Sequence, residues 1–368
     1  NGNIQITYPD GRTEELPSGI RAFEIAQGIS PQFEKQLIAA RINDKVVDLA
    51  TVLTEDASVN FLKRTDEEAH EILLHSTSHI MAQAVKRLFP EVKVTIGPSI
   101  ENGFYYDFDI ETPFTDDQLA AIETEMQKII DEDLPIQRIE LSRDEAVKRF
   151  EEMDETYKVE IISELPEDDI ISAYEQGEFV DLCRGPHLPS TKRAGAFKLL
   201  SVAGAYWRGN ENNRMLSRIY GTAFPDKKAL KKYLHLLEEA KKRDHRRLGK
   251  ELGWFSFHED APANAFFHAK GTTIYNGIMD YVRGSNRQHQ YEEVNTPLIM
   301  SAEMWKRSGH YDNYRENMYF TKIDDRDFAV KPMNCPGHTL VYGDVPRSYR
   351  DLPVKMSEFG RVHRHEKS

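Results

Sequence analysis

Cysteine is scarce. Two in 368 residues, Cys183 and Cys335, allow one disulfide at most. Each sits inside its own polar motif, which favours reduced, functional thiols and a cytoplasmic setting. Long apolar runs are missing too: no stretch approaches the roughly 18 consecutive apolar residues of a membrane helix, so no membrane partner is expected. The opening residues NGNIQITYPDG have neither the charged n-region nor the apolar h-region of a secretory signal, and no initiator Met precedes them. A basic excess is absent as well. Lys and Arg number 48 against 61 Asp and Glu, a formal net charge of −13, so any nucleic acid must be held by a local patch. No internal repeat or low-complexity tract occurs. What is present is ordinary for a globular protein, 39% hydrophobic and 30% charged, with length enough for two or three domains.

Residues 1–63 read as a small β-rich module. Ile4, Ile6 and Tyr8 alternate with polar residues before a turn at Pro9-Asp10-Gly11. RAFEIAQGIS fits a short helix stopping near Gly28, and AARINDKVVDL reads as two strands around Asn43-Asp44. The mix suggests a ubiquitin-like grasp of a helix by a sheet. A second helix is expected from Thr65, with Glu68 completing a capping box and Leu73, Ile80, Ala84 and Leu88 as its core stripe. FYYDFD is a strand with aromatics on both faces, and two more helices carry cap signals at Thr115/Gln118 and Ser142/Glu145. Short strands and glycine turns follow from Phe179 to Phe224. The block 64–225 thus reads as one α+β domain. Residues 226–250 form a basic amphipathic helix with ten Lys and Arg against four acidic residues; such a run is either a solvated face or a spacer facing nucleic acid. Residues 251–368 begin a further α/β unit.

Two four-residue spacings draw attention. HSTSH places His75 and His79 on one side of a helix, about 40° apart, off the stripe of Leu73 and Ile80. The zinc-protease helix needs Glu after its first His, and here Ser76 stands there. In DLCRGPH, Gly185 and Pro186 forbid a helix, yet a turn brings Cys183 and His187 to one rim. Three imidazoles and a thiolate suit zinc. The same set can also act without metal, as bases and hydrogen-bond donors around a bound ester. Spacing alone does not choose.

The stretches HSTSHIMAQAVKRLFP, IGPSIENGFYYDFD, DLCRGPHLPST, AGAYWRGNENNRMLSRIYGTAF and KRDHRRLGKELGWF, taken in order, resemble the threonyl-tRNA synthetase family. KPMNCPGHTLVY and SYRDLPVKMSEFGRVHRHE resemble the opening of its class II catalytic domain. The resemblance implies an α+β multidomain chain. Its parts would be a ubiquitin-like, TGS-type β-grasp module (1–63), a two-part α+β editing domain (64–225), a basic linker helix (226–250), and the N-terminal part of a class II antiparallel-sheet catalytic domain (251–368). Lacking the third class II motif and an anticodon-binding domain, the residues given are expected to edit but not to aminoacylate.

The resemblance also implies roles. The family attaches threonine to tRNA(Thr) with ATP and Mg2+, and zinc at the synthetic site selects threonine through its hydroxyl. Cys335 matches the cysteine ligand of that zinc, the remaining ligands falling beyond residue 368. Arg364 and Glu366 match the Arg-x-Glu of motif 2, the Arg on the ATP α-phosphate and the Glu on adenine. His363 stands where an aromatic is usual, and Pro297 matches the motif 1 proline of a homodimer interface. Serine lacks only one methyl of threonine, worth about 1–3 kcal/mol of discrimination, so a second, hydrolytic site removes it from seryl-tRNA. The resemblance assigns that site to His75, His79, Lys158, Asp181, Cys183 and His187, working without metal. His75 and Lys158 would position and deprotonate water; His79, Cys183, His187 and Asp181 would hold the terminal adenosine and the seryl group. Two other readings are a free-standing aminoacyl-tRNA deacylase and a non-catalytic RNA-binding regulatory module.

Overall fold

Alternation near the N-terminus does what it predicts. The strand Asn3–Thr7 turns Ile4 and Ile6 inward, as a period of two requires. In the computed structural model of the chain, which describes residues 2–167, 169–262 and 264–365, this strand lies second in a five-stranded sheet. The order is Thr13–Pro17, Asn3–Thr7, Ala57–Lys63, Leu37–Ile42, Lys45–Val47. The helix Ala22–Ile29 buries Ala22, Ile25 and Ala26 in the same cluster as Leu37, Ala40 and Val59. Asn43 and Asp44 have φ of 46° and 67°, the left-handed pair that closes a tight two-residue hairpin.

The next helix begins later than expected. Residues Glu67–Ala69 form a 3-10 turn and the α-helix runs His70–Leu88. The capping box at Thr65 does not form, because Glu68 pairs with Arg41 of the preceding sheet instead. Leu73, Ile80 and Ala84 are fully buried, while Leu88, the last helical residue, is exposed. Burial is not confined to one stripe: Ile72 to Leu74 and Ser76 to Val85 are all buried, including the polar Ser76, Thr77, Ser78, His79 and Gln83. A helix wrapped on every side by protein while carrying polar groups must have partners for them.

Those partners come from two sheets. One has the order Ala196–Tyr206, Met215–Phe224, Gly103–Asp109, Lys93–Val94. Its Phe104, Tyr106 and Phe108 pack with Leu73, Ile80 and Ala84. The last two strands of that stretch, expected short, have 11 and 10 residues. The other sheet is Ile136–Leu141, Ile171–Gln176, Phe179–Leu182. Helices Arg143–Glu152 and Thr156–Glu164 cover it through Ala146, Phe150 and Ile162. Both expected capping boxes, Thr115/Gln118 and Ser142/Glu145, are formed.

The basic stretch is two helices, not one. Lys227–Lys242 ends before Asp244, whose carboxylate accepts from the Arg246 N–H at 2.8 Å and starts His245–Glu251. An Asp at that position caps a new helix in preference to continuing the old one. The chain divides into two compact units at Lys241/Lys242. The second carries the helix Ala269–Gln288 and an antiparallel sheet, Ile299–Ser301, Arg326–Val330, Phe320–Ile323, with Trp305 fully buried beneath it. Among the described residues no helix is long and apolar enough to cross a membrane.

Candidate active site

The helix His70–Leu88 presents His75 and His79, the strand Phe179–Leu182 presents Asp181, and the loop after it presents Cys183 and His187. Helix Thr156–Glu164 contributes Lys158. Six residues spread over more than a hundred positions converge. The Cys183 Sγ lies 3.4 Å from His75 Nε2 and 3.2 Å from His187 Nε2. The imidazole centroids of His79 and His187 are 4.3 Å apart, and those of His75 and His187 4.4 Å. His79 Nε2 stands 3.5 Å from Asp181 Oδ2, and Lys158 forms an ion pair with Asp181 Oδ1. The Tyr106 hydroxyl donates to Asp181 Oδ2 at 2.5 Å and accepts from Lys158 Nζ at 3.1 Å.

These groups meet at a cleft of about 370 Å³. His75, His79, Lys158, Asp181 and Cys183 line it, with Ile96, Pro98, Ile161, Leu165 and Ile171 as an apolar wall. His187 is placed differently from expectation. It is 1% exposed and lies behind Cys183, its Nδ1 3.0 Å from Ser76 Oγ. It does not line the cleft, although its ring nitrogen lies in the cluster of His75, His79 and Cys183.

The loop geometry depends on one glycine. Gly185 has φ of +73°, and a Cβ there would stand 1.8 Å from the Tyr174 hydroxyl oxygen. Gly185→Ala is accordingly expected to displace Cys183 and His187 and, on the editing role that the family resemblance implies, to slow deacylation by an order of magnitude or more. A deacylation time course beside a thermal melt checks it; normal activity would show that the loop tolerates a Cβ.

Burial sets the protonation states. It pushes the Cys183 thiol up to about 12, helped by the Asp181 carboxylate and opposed by the Gly185 N–H. The same burial lowers His75, and it holds His79 and His187 well below the ordinary histidine value, with the neighbouring imidazoles and Lys158 adding to the effect on His79. At neutral pH the site is thus a neutral thiol and three neutral imidazoles beside a buried ion pair. Each neutral imidazole keeps one unprotonated nitrogen, the requirement for a general base.

The ligand atoms of His75, His79, Cys183 and His187 all lie within 4.8 Å of one another, and three nitrogens with one sulfur form a donor set that zinc accepts. The set fits such an ion in chemistry and spacing. Binding would require the Cys183 thiol to ionise against its burial. No other group of three or more such ligands occurs among the described residues. Cys335, exposed at the first turn of Cys335–Gly343, belongs to no group of three or more such ligands among the described residues.

Cys335 and Arg364 belong to the second unit, and Glu366 lies outside the described residues. That unit also holds a buried network that motif reading missed. Lys331 Nζ and His338 Nε2 each approach Glu358 at 2.9 Å, and the Thr296 N–H donates to it at 2.8 Å. Burial raises the Glu358 carboxyl, but the Thr296 N–H and the Lys331 and His338 side chains outweigh it and hold the group at about 2. Sequence reasoning likewise missed Tyr106, Ser76 and Asp48 in the first unit. Alternation in FYYDFD signals that Tyr106 points inward; nothing local signals its partner.

Three family models match the chain. They are the TGS domain over residues 4–63, the threonyl and alanyl tRNA synthetase second additional domain over 171–220, and the tRNA synthetase class II core domain (G, H, P, S and T) over 319–368. The second includes Asp181, Cys183 and His187 but not His75, His79 or Lys158. The threonine–tRNA ligase of Caldanaerobacter subterraneus subsp. tengcongensis is 55% identical over 363 residues, 99% of this chain and 56% of that protein. That of Desulforamulus reducens is 53% identical over 365 residues, 99% of this chain and 58% of that protein. The chain therefore spans little more than half the length of the curated relatives it matches. Among solved structures, the RNA binding domain of threonyl-tRNA synthetase from Cryptosporidium parvum Iowa II is 41% identical over 34% of this chain and 32% of that one, with a TM-score of 0.33. Motifs, ordered domain models and long-range identity agree that the chain matches the N-terminal region of threonyl-tRNA synthetases.

Proposed function

We propose that this chain is part of an enzyme that attaches threonine to tRNA(Thr) at the expense of ATP, and that its cleft hydrolyses mischarged seryl-tRNA(Thr). The observation that carries the second half is the convergence of His75, His79, Lys158, Asp181 and Cys183 on one cleft with an apolar wall. Half-buried and neutral, His75 takes a proton from water as the oxygen attacks the seryl ester carbonyl. As the C–O bond breaks, the leaving ribose oxygen of the terminal adenosine takes that proton from the His75 imidazolium, which returns to its neutral form. Lys158, fixed by Asp181 and Tyr106, places positive charge beside the oxyanion that forms. His79 and Cys183 offer hydrogen bonds to the seryl hydroxyl and the ribose, with His187 bracing Cys183 from behind. Editing proceeds without metal in this reading; a stoichiometric zinc ion in the purified protein, retained through dialysis against chelator, would overturn that part.

Boundaries near 63, 225 and 250 would separate the module, the editing domain, the basic spacer and the class II part. Arg364 would meet the ATP α-phosphate, with Glu366 on adenine and Mg2+ accompanying ATP. Cys335 would supply one ligand to a zinc completed outside this chain. A homodimer is supported by Ile274, Ile278 and Tyr281, exposed at helical spacing on Ala269–Gln288, and by Pro297 in the motif 1 position. The setting is the cytoplasm.

The test is hydrolysis of seryl-tRNA(Thr) and threonyl-tRNA(Thr) by this chain. Serine should be released at least tenfold faster than threonine, because the apolar wall excludes the extra methyl. Equal rates would favour an unspecific deacylase. Tight tRNA binding with both esters intact would favour a regulatory RNA-binding module.

A further inference from the structure

Asp48 belongs to the N-terminal module, 139 positions from His187, yet it reaches the pocket loop. One oxygen accepts the His187 backbone N–H at 2.8 Å, and the other accepts the Tyr174 hydroxyl at 2.7 Å. Both donors fix the same five-residue loop. The Tyr174 ring packs against the His187 imidazole at an interplanar angle of 60°, centroids 4.4 Å apart, and its hydroxyl fills the space above Gly185. His187, so held, keeps Nε2 3.2 Å from Cys183 Sγ while its Nδ1 meets Ser76 Oγ, which also accepts the Leu188 N–H at 3.0 Å. Burial raises the Asp48 carboxyl and these two hydrogen bonds oppose it. Remove the carboxylate and two donors in the protein interior lose their acceptor, which the loop can remedy only by moving.

We propose that Asp48 is a positioning residue of the hydrolytic pocket, so that the N-terminal module is a structural component of that site. The inference rests on the editing reading above. The module does not depend on Asp48 for its docking. Ile38, Ala39 and Leu62 share one core cluster with Leu73 and Ile80, and Arg193 donates to the Glu34 and Leu37 carbonyls at 3.0 Å each. Loss of Asp48 should therefore loosen the loop and leave the fold in place.

The experiment measures seryl-tRNA(Thr) hydrolysis by the chain carrying Asp48→Ala, Asp48→Asn, Tyr174→Phe or His75→Ala. Asp48→Ala should lower kcat about 10- to 100-fold with KM changed by less than about threefold, since misplacing reacting groups by an ångström has that scale of effect. Asp48→Asn should stay within about threefold of the parent, because its amide oxygen still accepts the His187 N–H and its NH2 group meets the tyrosine oxygen. Full activity of Asp48→Ala, or an Asp48→Asn as slow as Asp48→Ala, would overturn the assignment. If Asp48→Ala fails to fold, Tyr174→Phe decides: a fall of several-fold in kcat supports the proposal and parental kcat sinks it. Activity surviving His75→Ala would instead bring down the editing reading itself, and this inference with it.

Discussion

Replacing His75 by alanine is expected to lower seryl-tRNA(Thr) hydrolysis by about 10²- to 10³-fold, within the range for removing a positioned general base. The expectation follows from its place: half-buried at the cleft, neutral because burial lowers it, and 3.4 Å from Cys183. His79 and His187 are more deeply buried and held neutral more strongly, so neither substitutes for it. Single-turnover release of serine measures the effect, and a loss under threefold would remove His75 from the mechanism. The pH profile gives a second check. A base whose value lies below the ordinary histidine value stays unprotonated as pH falls through about 6.5, so the rate should hold there and decline only at lower pH. Stability moves in the same direction. The three imidazoles take up protons in the unfolded chain below about 6.5 while the folded chain keeps them neutral. The unfolded state then binds more protons, and stability falls as pH drops through that window. His75→Ala should make that fall shallower in denaturant titrations at pH 5.5 and 7.5.

Lys158→Ala should destabilise the first unit by about 3–5 kcal/mol, the usual consequence of leaving a buried charge unpaired. Lys158 and Asp181 have side chains only 3% and 2% exposed, and Tyr106 is the other polar group that both touch. Alanine at 158 strands the Asp181 carboxylate beside neutral His79. Replacing both charges with apolar groups of similar size, Lys158→Met with Asp181→Leu, should restore most of the stability, since a buried ion pair gains little over well-packed hydrocarbon. It should not restore hydrolysis. Guanidinium unfolding followed by a signal from the first unit, together with the deacylation assay, separates the two effects. A single substitution costing under about 1 kcal/mol would mean that water reaches Asp181 and that the pair is no anchor for the site.

Local signals in the sequence were enough for much of the framework. Alternation gave the strand Asn3–Thr7, left-handed Asn43 and Asp44 the hairpin beside it, and the Thr115 and Ser142 boxes the starts of two helices. In each case the signal itself spans only about four residues. The helix at 65 started late because Glu68 found Arg41, in a strand 27 positions away, more favourable than its own cap. Asp244 divides the basic helix because its carboxylate caps His245–Glu251 through the Arg246 N–H, a signal that a count of charges does not distinguish from any other acidic residue.

The site divides along the same line. Histidines four apart on a helix, and a cysteine and histidine joined through Gly-Pro, are local patterns that marked His75, His79, Cys183 and His187 as one chemical set. That His187 stands behind Cys183, that Asp181 is shared by Lys158, Tyr106 and His79, and that Asp48 braces the loop from the N-terminal module were decided by tertiary structure alone. The partners in those contacts come from different strands and helices, and which of them meet depends on sheet register and on how two sheets close over one helix. No periodicity within a segment encodes that closure. The polar side of His70–Leu88, which alone resembles a solvated face, became a wall of the cleft because the chain folded over it.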